Sequence, residues 1–178
     1  MSWKREPLTE DELQQLLDVA DDFDLDHQVT IYTLAHTGLR ANELAHMTDE
    51  WMDWQKDHLR VPGQDGDWTP KTTHAARTIP VKHPGTIRRL RDFFGYDSEY
   101  GATRQTVTNR VKRVASEAGL RKKVTPHVLR HTYGTLIAAR GATPQYIRQT
   151  MGHADLSSAN DYLQYAGTQL DAEAEELW

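Results

Sequence analysis

The sequence predicts an α+β domain, mainly α-helical with one small antiparallel hairpin. Helix-opening signals recur along the chain, each followed by apolar residues at three- and four-residue spacing. Only two short runs, residues 59–61 and 77–81, read as paired strands. The polar loop between them holds Pro62, Gly63, Gly66 and Pro70. At 178 residues the chain reads as one domain, 1–178, large enough for a substantial core.

Taken in order, residues 1–8 are a loose lead-in. Thr9-x-x-Glu12 is a capping box, and Leu13, Leu16, Leu17 and Ala20 follow at helical spacing. The run D-D-F-D-L-D, residues 21–26, ends that helix as an acidic, solvated turn. A second helix over 28–36 carries Val29, Ile31, Tyr32, Leu34 and Ala35 into the core. Thr37-Gly38-Leu39-Arg40 reads as a helix ending at glycine, with Arg40 at the turn into a short helix. Glu43 lies three residues on, within reach of that guanidinium or of a backbone cap. Trp51, Met52 and Trp54 read as core or as cover for a sheet rather than as a base-stacking platform.

After the strands, His83-Pro84-Gly85 breaks the chain before a helix over 86–94. Thr103 caps a helix to about Ala118, with Val107, Val111, Val114 and Ala115 inward. Arg104, Arg110, Lys112 and Arg113 lie mostly outward. Thr125-Pro126 then opens a helix running to Arg140 and stopping at Gly141. On it His127, Arg130, His131 and Gly134 fall at i, i+3, i+4 and i+7, which is one face. Thr143-Pro144 opens a short helix closed by Gly152, with His153 directly behind it. Tyr162, nine residues further, sits on a third helix capped by Asp155 or Ser157. Tyr165 and a short acidic helix ending in Leu177 and Trp178 complete the chain.

One short region thus holds His127, Arg130, His131, His153 and Tyr162, each placed by a helix or its end. A tyrosine hydroxyl, with an ordinary pKa of about 10, is a poor nucleophile near neutrality. Attack on a phosphodiester requires a nearby base and cations to neutralise charge gathering on the phosphorus oxygens. Arginine suits that task because its planar fork can hold two oxygens and stays protonated. Arg40 supplies a second such group.

Charge agrees with an anionic partner. The net charge is −5, yet residues 77–148 hold fifteen Lys+Arg against four Asp+Glu, so acidic flanks enclose a basic middle. The bland reading, acidic helices that solubilise the termini, is compatible with this. Without cysteine there is neither a disulfide nor a thiolate metal site, and a cytoplasmic location is expected. No apolar run approaches the roughly 18 residues that span a bilayer. His127 and His131 stand at i, i+4, but no glutamate lies between them and no cysteine offers a third ligand, so no metal is expected.

The order T-G-L-R-x-x-E-L (37–44), H-x-L-R-H (127–131), G-H (152–153) and Tyr162 nine residues later resembles the tyrosine recombinase (phage integrase) family. Over residues 8–165 the resemblance implies that family's catalytic-domain fold. It also implies catalytic roles for Arg40, Arg130, His127, His153 and Tyr162, with Glu43 and His131 supporting them. The family's hairpin lysine matches Lys71, in P-K-T-T-H-A-A-R-T-I-P-V, as general acid for the leaving oxygen. The helix over 104–118 corresponds to one that lies against DNA, making Arg104, Arg110, Lys112 and Arg113 candidate phosphate contacts.

The implied activity is site-specific DNA cleavage and rejoining through a 3′-phosphotyrosyl link, without cofactor. Double-stranded DNA is the implied partner, with a tetramer on DNA and a monomer when free. Type IB topoisomerases share the order of groups, though the match is closer to recombinases. Tyr165, one helical turn from Tyr162, is the alternative nucleophile, and the spacing from His153 favours Tyr162. An N-terminal core-binding domain is expected to be absent, since about eight residues precede the first helix. The tail, 166–178, is expected to dock on a neighbouring subunit or to fold back. The rival function is a DNA-binding remnant or accessory protein without activity of its own.

Overall fold

A computed structural model describes residues 6–63, 68–69, 75–152 and 156–177. Its elements are α1 (Glu10–Ala20), α2 (Leu25–Thr37), α3 (Ala41–His46), β1 (Met52–Asp53), β2 (His58–Val61), β3 (Arg77–Pro80), α4 (Pro84–Phe94), α5 (Arg104–Ala118), α6 (Pro126–Ala139), α7 (Pro144–Met151) and α8 (Leu156–Leu177). The expected mainly helical α+β architecture is what forms.

Local caps explain where most helices begin. The Thr9 hydroxyl accepts the Glu12 N–H at 3.1 Å while the Glu12 carboxylate accepts the Thr9 N–H at 2.9 Å. Thr103, Thr125 and Thr143 cap α5, α6 and α7 through the hydroxyl bond alone, each accepting the N–H three residues on. Two helices start earlier than expected because an unforeseen side chain caps them. Asp24 accepts the His27 N–H at 3.1 Å and opens α2 at Leu25. His83 accepts the Thr86 N–H at 3.2 Å and opens α4 at Pro84. The acidic turn is therefore more than solvated surface: Asp21 also accepts from the Tyr32 hydroxyl and from Arg89, each at 2.7 Å.

The sheet has three antiparallel strands in the order β1-β2-β3. Leu59 of β2 stands opposite both Met52 and Ile79, so one apolar row crosses the sheet. The third strand, β1, adds to the expected pair; two residues are too few to show alternation in a sequence. Trp51 is buried, and its ring lies 5.8 Å from that of Trp68. The Trp68 indole N–H donates to the Pro62 carbonyl at 2.9 Å, which pins the start of the β2–β3 loop.

The main core gathers α1 to α5, the sheet and the inner face of α6, with Leu16, Ile31, Leu34, Leu44, Ile79 and Leu129 fully enclosed. A second apolar cluster, Tyr133, Ala138, Ile147, Met151 and Tyr162, joins α6, α7 and α8. The region after Tyr162 corrects an expectation. It is the continuation of one 22-residue helix, α8, rather than a separate short helix. A lone glycine inside a helix costs about 1 kcal/mol relative to alanine, and Gly167 does not interrupt it. Among the described residues no helix is long and apolar enough to cross a membrane.

Candidate active site

The site forms where the end of α2, the start of α3, strand β3 and helices α6, α7 and α8 converge. Gly38 ends α2 with φ +70°, and a Cβ there would stand 2.5 Å from the Tyr133 ring. This close approach lets the Gly38 carbonyl accept from Arg130 Nη1, while Arg130 Nη2 donates to the Met151 carbonyl at the end of α7. One buried guanidinium thereby ties two chain segments to α6.

Arg40 precedes α3, and Glu43 in the first turn of that helix accepts the Arg40 backbone N–H at 2.8 Å. The Glu43 carboxylate is almost wholly buried, at 1 % exposure. Arg77 grips it from β3, with Nη1 2.6 Å from Oε2 and Nη2 2.9 Å from Oε1. Arg77 further donates from Nε to the Thr150 carbonyl at 2.7 Å and from Nη1 to the Ala75 carbonyl at 2.6 Å. Arg40 Nη1 stays 3.6 Å from Glu43 Oε2, buried and without a hydrogen-bond partner among the described residues.

The electrostatics follow from that arrangement. Burial pushes the Glu43 carboxyl up, but the hydrogen bonds and charge of Arg77, then the Arg40 N–H and guanidinium, outweigh it and hold the group below its ordinary value. Burial above all, and Arg77 beside it, lower Arg40, with Glu43 opposing. Arg130 is pushed down to about 9, first by burial and then by Arg40 and Arg77. Among the described residues a single carboxylate, Glu43, faces these guanidiniums: it pairs with Arg40 and Arg77, and Arg130 feels only its charge. Surplus positive charge in a water-poor pocket is costly unless an anion joins it.

Tyr162 is buried beside this cluster, at 4 % exposure. Its ring lies flush on α6 at Gly134, where a Cβ would come within 2.6 Å of it. The hydroxyl stands 3.0 Å from His131 Nδ1. Burial foremost raises the phenol, with Asp161 adding to it, while the charges of Arg130 and Arg40 pull it back down. His131 thus touches the tyrosine hydroxyl, a more direct place than the supporting one expected of it. His127 is exposed on the same face, its ring edge-on to His131 with centroids 4.3 Å apart.

Lys71 and His153 lie outside the described residues, and of Tyr165 only the backbone is described. On α5, Arg104, Lys112 and Arg113 are exposed, as expected of an outward basic face. Arg110 departs from that expectation. Its guanidinium is 3.7 Å from Asp26 and 5.2 Å from the Tyr100 ring, so it packs α5 against α2. Arg77 is the residue that sequence reasoning missed. The available signal was strand alternation, since Arg77 shares a face with the fully buried Ile79 and a charge on a core face requires a partner. No group of three or more His, Cys, Asp or Glu side chains able to hold a metal ion occurs among the described residues.

Comparison with known proteins identifies the family and the fold. Residues 6–168 match the sequence profile of the phage integrase family. Tyrosine recombinase XerA of Pyrococcus furiosus is 30% identical over 168 residues, covering 87% of this chain and 56% of that protein. Tyrosine recombinase XerD of Shewanella oneidensis is 29% identical over 174 residues, covering 92% and 58%. The chain spans just over half the length of these relatives. Among solved structures, a XerA recombinase superposes with TM-score 0.79 at 23% identity, covering 98% of this chain and 66% of that one. The Tn1549 transposon integrase, in complex with circular intermediate DNA, superposes with TM-score 0.77 at 24% identity, covering 99% and 68%. These superpositions establish a shared fold, and the profile match extends over most of the chain. The protein belongs to the phage integrase family of tyrosine recombinases.

Proposed function

We propose that this chain is the catalytic unit of a site-specific DNA recombinase that cuts and rejoins strands through a 3′-phosphotyrosyl intermediate. The observation that carries this reading is the surplus of buried cation beside a buried tyrosine, with Arg40 Nη1 left without a hydrogen-bond partner among the described residues. A scissile phosphate is the ligand whose charge and oxygen count match that surplus. With the imidazole proton on Nε2, His131 Nδ1 accepts the Tyr162 hydroxyl hydrogen. As that O–H bond breaks, the phenolic oxygen bonds to phosphorus and the bond from phosphorus to the 5′ oxygen breaks. The leaving oxygen takes a proton, which the family resemblance assigns to Lys71. Arg40 and Arg130 neutralise the charge that builds on the non-bridging oxygens, and His127 and His153 complete the set by the same resemblance. Resealing runs the steps in reverse, and the covalent link conserves the bond energy, so no nucleotide cofactor is required.

Double-stranded DNA is the partner in this reading, with Arg104, Lys112 and Arg113 as further phosphate contacts and tetramers forming on paired sites. The free chain is a monomer. The C-terminal part of α8, whose described side chains beyond Gly167 are exposed, is free to dock on a neighbouring subunit.

A nicked duplex that loses its 5′-hydroxyl fragment on cleavage traps the intermediate and provides the test. A covalent protein–DNA adduct on a denaturing gel, lost in Tyr162→Phe and kept in Tyr165→Phe, is the expected result. An adduct that survives Tyr162→Phe moves the nucleophile elsewhere. DNA binding with no adduct on any family-type site, even with a core-binding domain fused ahead of Thr9, favours a binding protein without recombinase activity.

A further inference from the structure

Arg77 takes no part in the steps above, yet from β3 its contacts reach both α3 and the end of α7. Its side chain is only 4 % exposed. Nε is committed to the Thr150 carbonyl, Nη1 to the Ala75 carbonyl and Glu43, and Nη2 to Glu43. A group so enclosed and so fully engaged is badly placed to meet a DNA phosphate. It is well placed to decide what its neighbours do.

We propose that Arg77 is a positioning residue that keeps Glu43 off Arg40 and locks strand β3 to the end of α7. The competition for Glu43 is visible in the distances. Two guanidiniums approach one buried carboxylate, and Arg77 takes both oxygens in a forked pair at 2.6 and 2.9 Å while Arg40 Nη1 waits at 3.6 Å. Forked arginine–carboxylate pairs are the strongest of their kind, and this one saturates the best acceptor directions of Glu43. Remove it, and Arg40 becomes the remaining cation beside that carboxylate. Closing from 3.6 Å to hydrogen-bond distance needs a shift of less than about 1 Å. Arg40 would then donate to Glu43 instead of to the phosphate.

The second half of the proposal concerns α7. Its last two carbonyls are taken by different arginines: Thr150 by Arg77 from β3, and Met151 by Arg130 from α6. The helix end that leads through Gly152 to His153 is thereby fastened from two sides. The strand that fastens it begins six residues after Lys71. The hairpin and the helix end cannot shift independently while Arg77 holds both.

The proposal rests on the recombinase reading, and its test separates the two. With the full chain and the nicked duplex, Arg77→Met should slow adduct formation per folded molecule by about 10²-fold at saturating DNA. The DNA concentration for half-saturation should change little. Adding Glu43→Gln to Arg77→Met should recover about 10-fold, because the neutral amide no longer captures Arg40. Arg77→Lys should recover part of the rate, restoring the charge without the fork. If Arg77→Met does not fold, Arg77→Lys with and without Glu43→Gln makes the same comparison. Unchanged cleavage per folded molecule, or a double variant no faster than its parent, overturns the proposal.

If the wild-type chain forms no adduct, the recombinase reading is what has failed. The proposal is then read from the 15N resonance of the Arg40 guanidinium, identified with Arg40→Lys. It should shift in Arg77→Lys and return toward its wild-type position when Glu43→Gln is added. An Arg40 signal unmoved by Arg77→Lys overturns the proposal.

Discussion

Toward the start of α2, Arg89 commits every nitrogen. Nε donates to Gln28 at 3.0 Å, Nη1 to the Gly85 carbonyl at 2.9 Å and Nη2 to Asp21 at 2.7 Å, while the guanidinium lies 3.8 Å from the Tyr32 ring centroid. Beyond the other end of α2, Arg40 and Arg77 share Glu43 while Arg130 lies close enough to feel its charge, and Arg40 retains a buried nitrogen without a hydrogen bond among the described residues. Both regions are arginine-rich and largely shielded from water, but only the first is balanced. Arg110 also has a buried nitrogen without a hydrogen bond among the described residues, yet the Asp24 and Asp26 charges compensate it. Balance marks an arginine that holds the fold, whereas the uncompensated charge at Arg40 is what the proposed phosphate would complete. Burial alone does not separate the two kinds.

The sharpest way to break this contrast is to remove one arginine from each region. Arg40→Ala should lower adduct formation on the order of 10³-fold with the fold retained. Arg89→Ala should leave the rate per folded molecule unchanged and cost about 1–3 kcal/mol of stability, read from urea unfolding. Equal losses of cleavage in the two variants would erase the distinction.

Gly134→Ala tests the geometry of the unbalanced region without touching a charge. The added Cβ would fall 2.6 Å from the Tyr162 ring, so the ring must move. Cleavage should drop about 10²-fold, with a stability cost of about 1–3 kcal/mol from overpacking. A normal cleavage rate in this variant would show that cleavage does not depend on the place α6 gives the Tyr162 ring.

The smallest expected effect lies in the balanced region and appears as a pH slope. His36 is stacked on His83, with ring centroids 3.7 Å apart and planes within 6°. The Tyr32 carbonyl and the Thr86 hydroxyl meet its Nδ1 at 3.0 and 2.9 Å. Burial first, then the charge of His83, with Arg140 and Arg89 behind it, lower His36 to about 3, against a favourable hydrogen bond to Tyr32. The unfolded chain takes up this proton below an ordinary 6.5 and the folded chain does not until about 3, so stability falls as pH drops between those values. Glu43 acts lower on the scale. Its folded value lies below the ordinary 4.5, so its contribution is complete above that pH and is lost as pH falls further. Urea midpoints at pH 7 and pH 5 should therefore differ in the wild-type chain and differ less in His36→Gln. An identical slope in His36→Gln would remove His36 as its source.

Much of the fold was legible without a structure because its signals are local. A threonine hydroxyl reaches an N–H three residues along whatever the rest of the chain does, which is why α1, α5, α6 and α7 begin where Thr9, Thr103, Thr125 and Thr143 place them. The same locality sets His127, Arg130, His131 and Gly134 on one face of α6. Early starts at Asp24 and His83 were harder to read. The first lies in an acidic run that resembles solvated surface, and the second is a residue type less associated with capping. The two-residue strand β1 and the unbroken course of α8 depend on packing that no short window displays.

The sequence by itself determined most of the helices, the threonine caps and the residue types that meet at the site. Tertiary structure decided the partnerships. Arg77 finds Glu43 across 34 residues and Thr150 across 73, His131 finds Tyr162 across 31, and Arg130 finds Gly38 across 92. The reason is one of range. Capping and periodicity act within one or two helical turns, whereas the pairing of a buried charge is settled only when the core brings distant elements into contact.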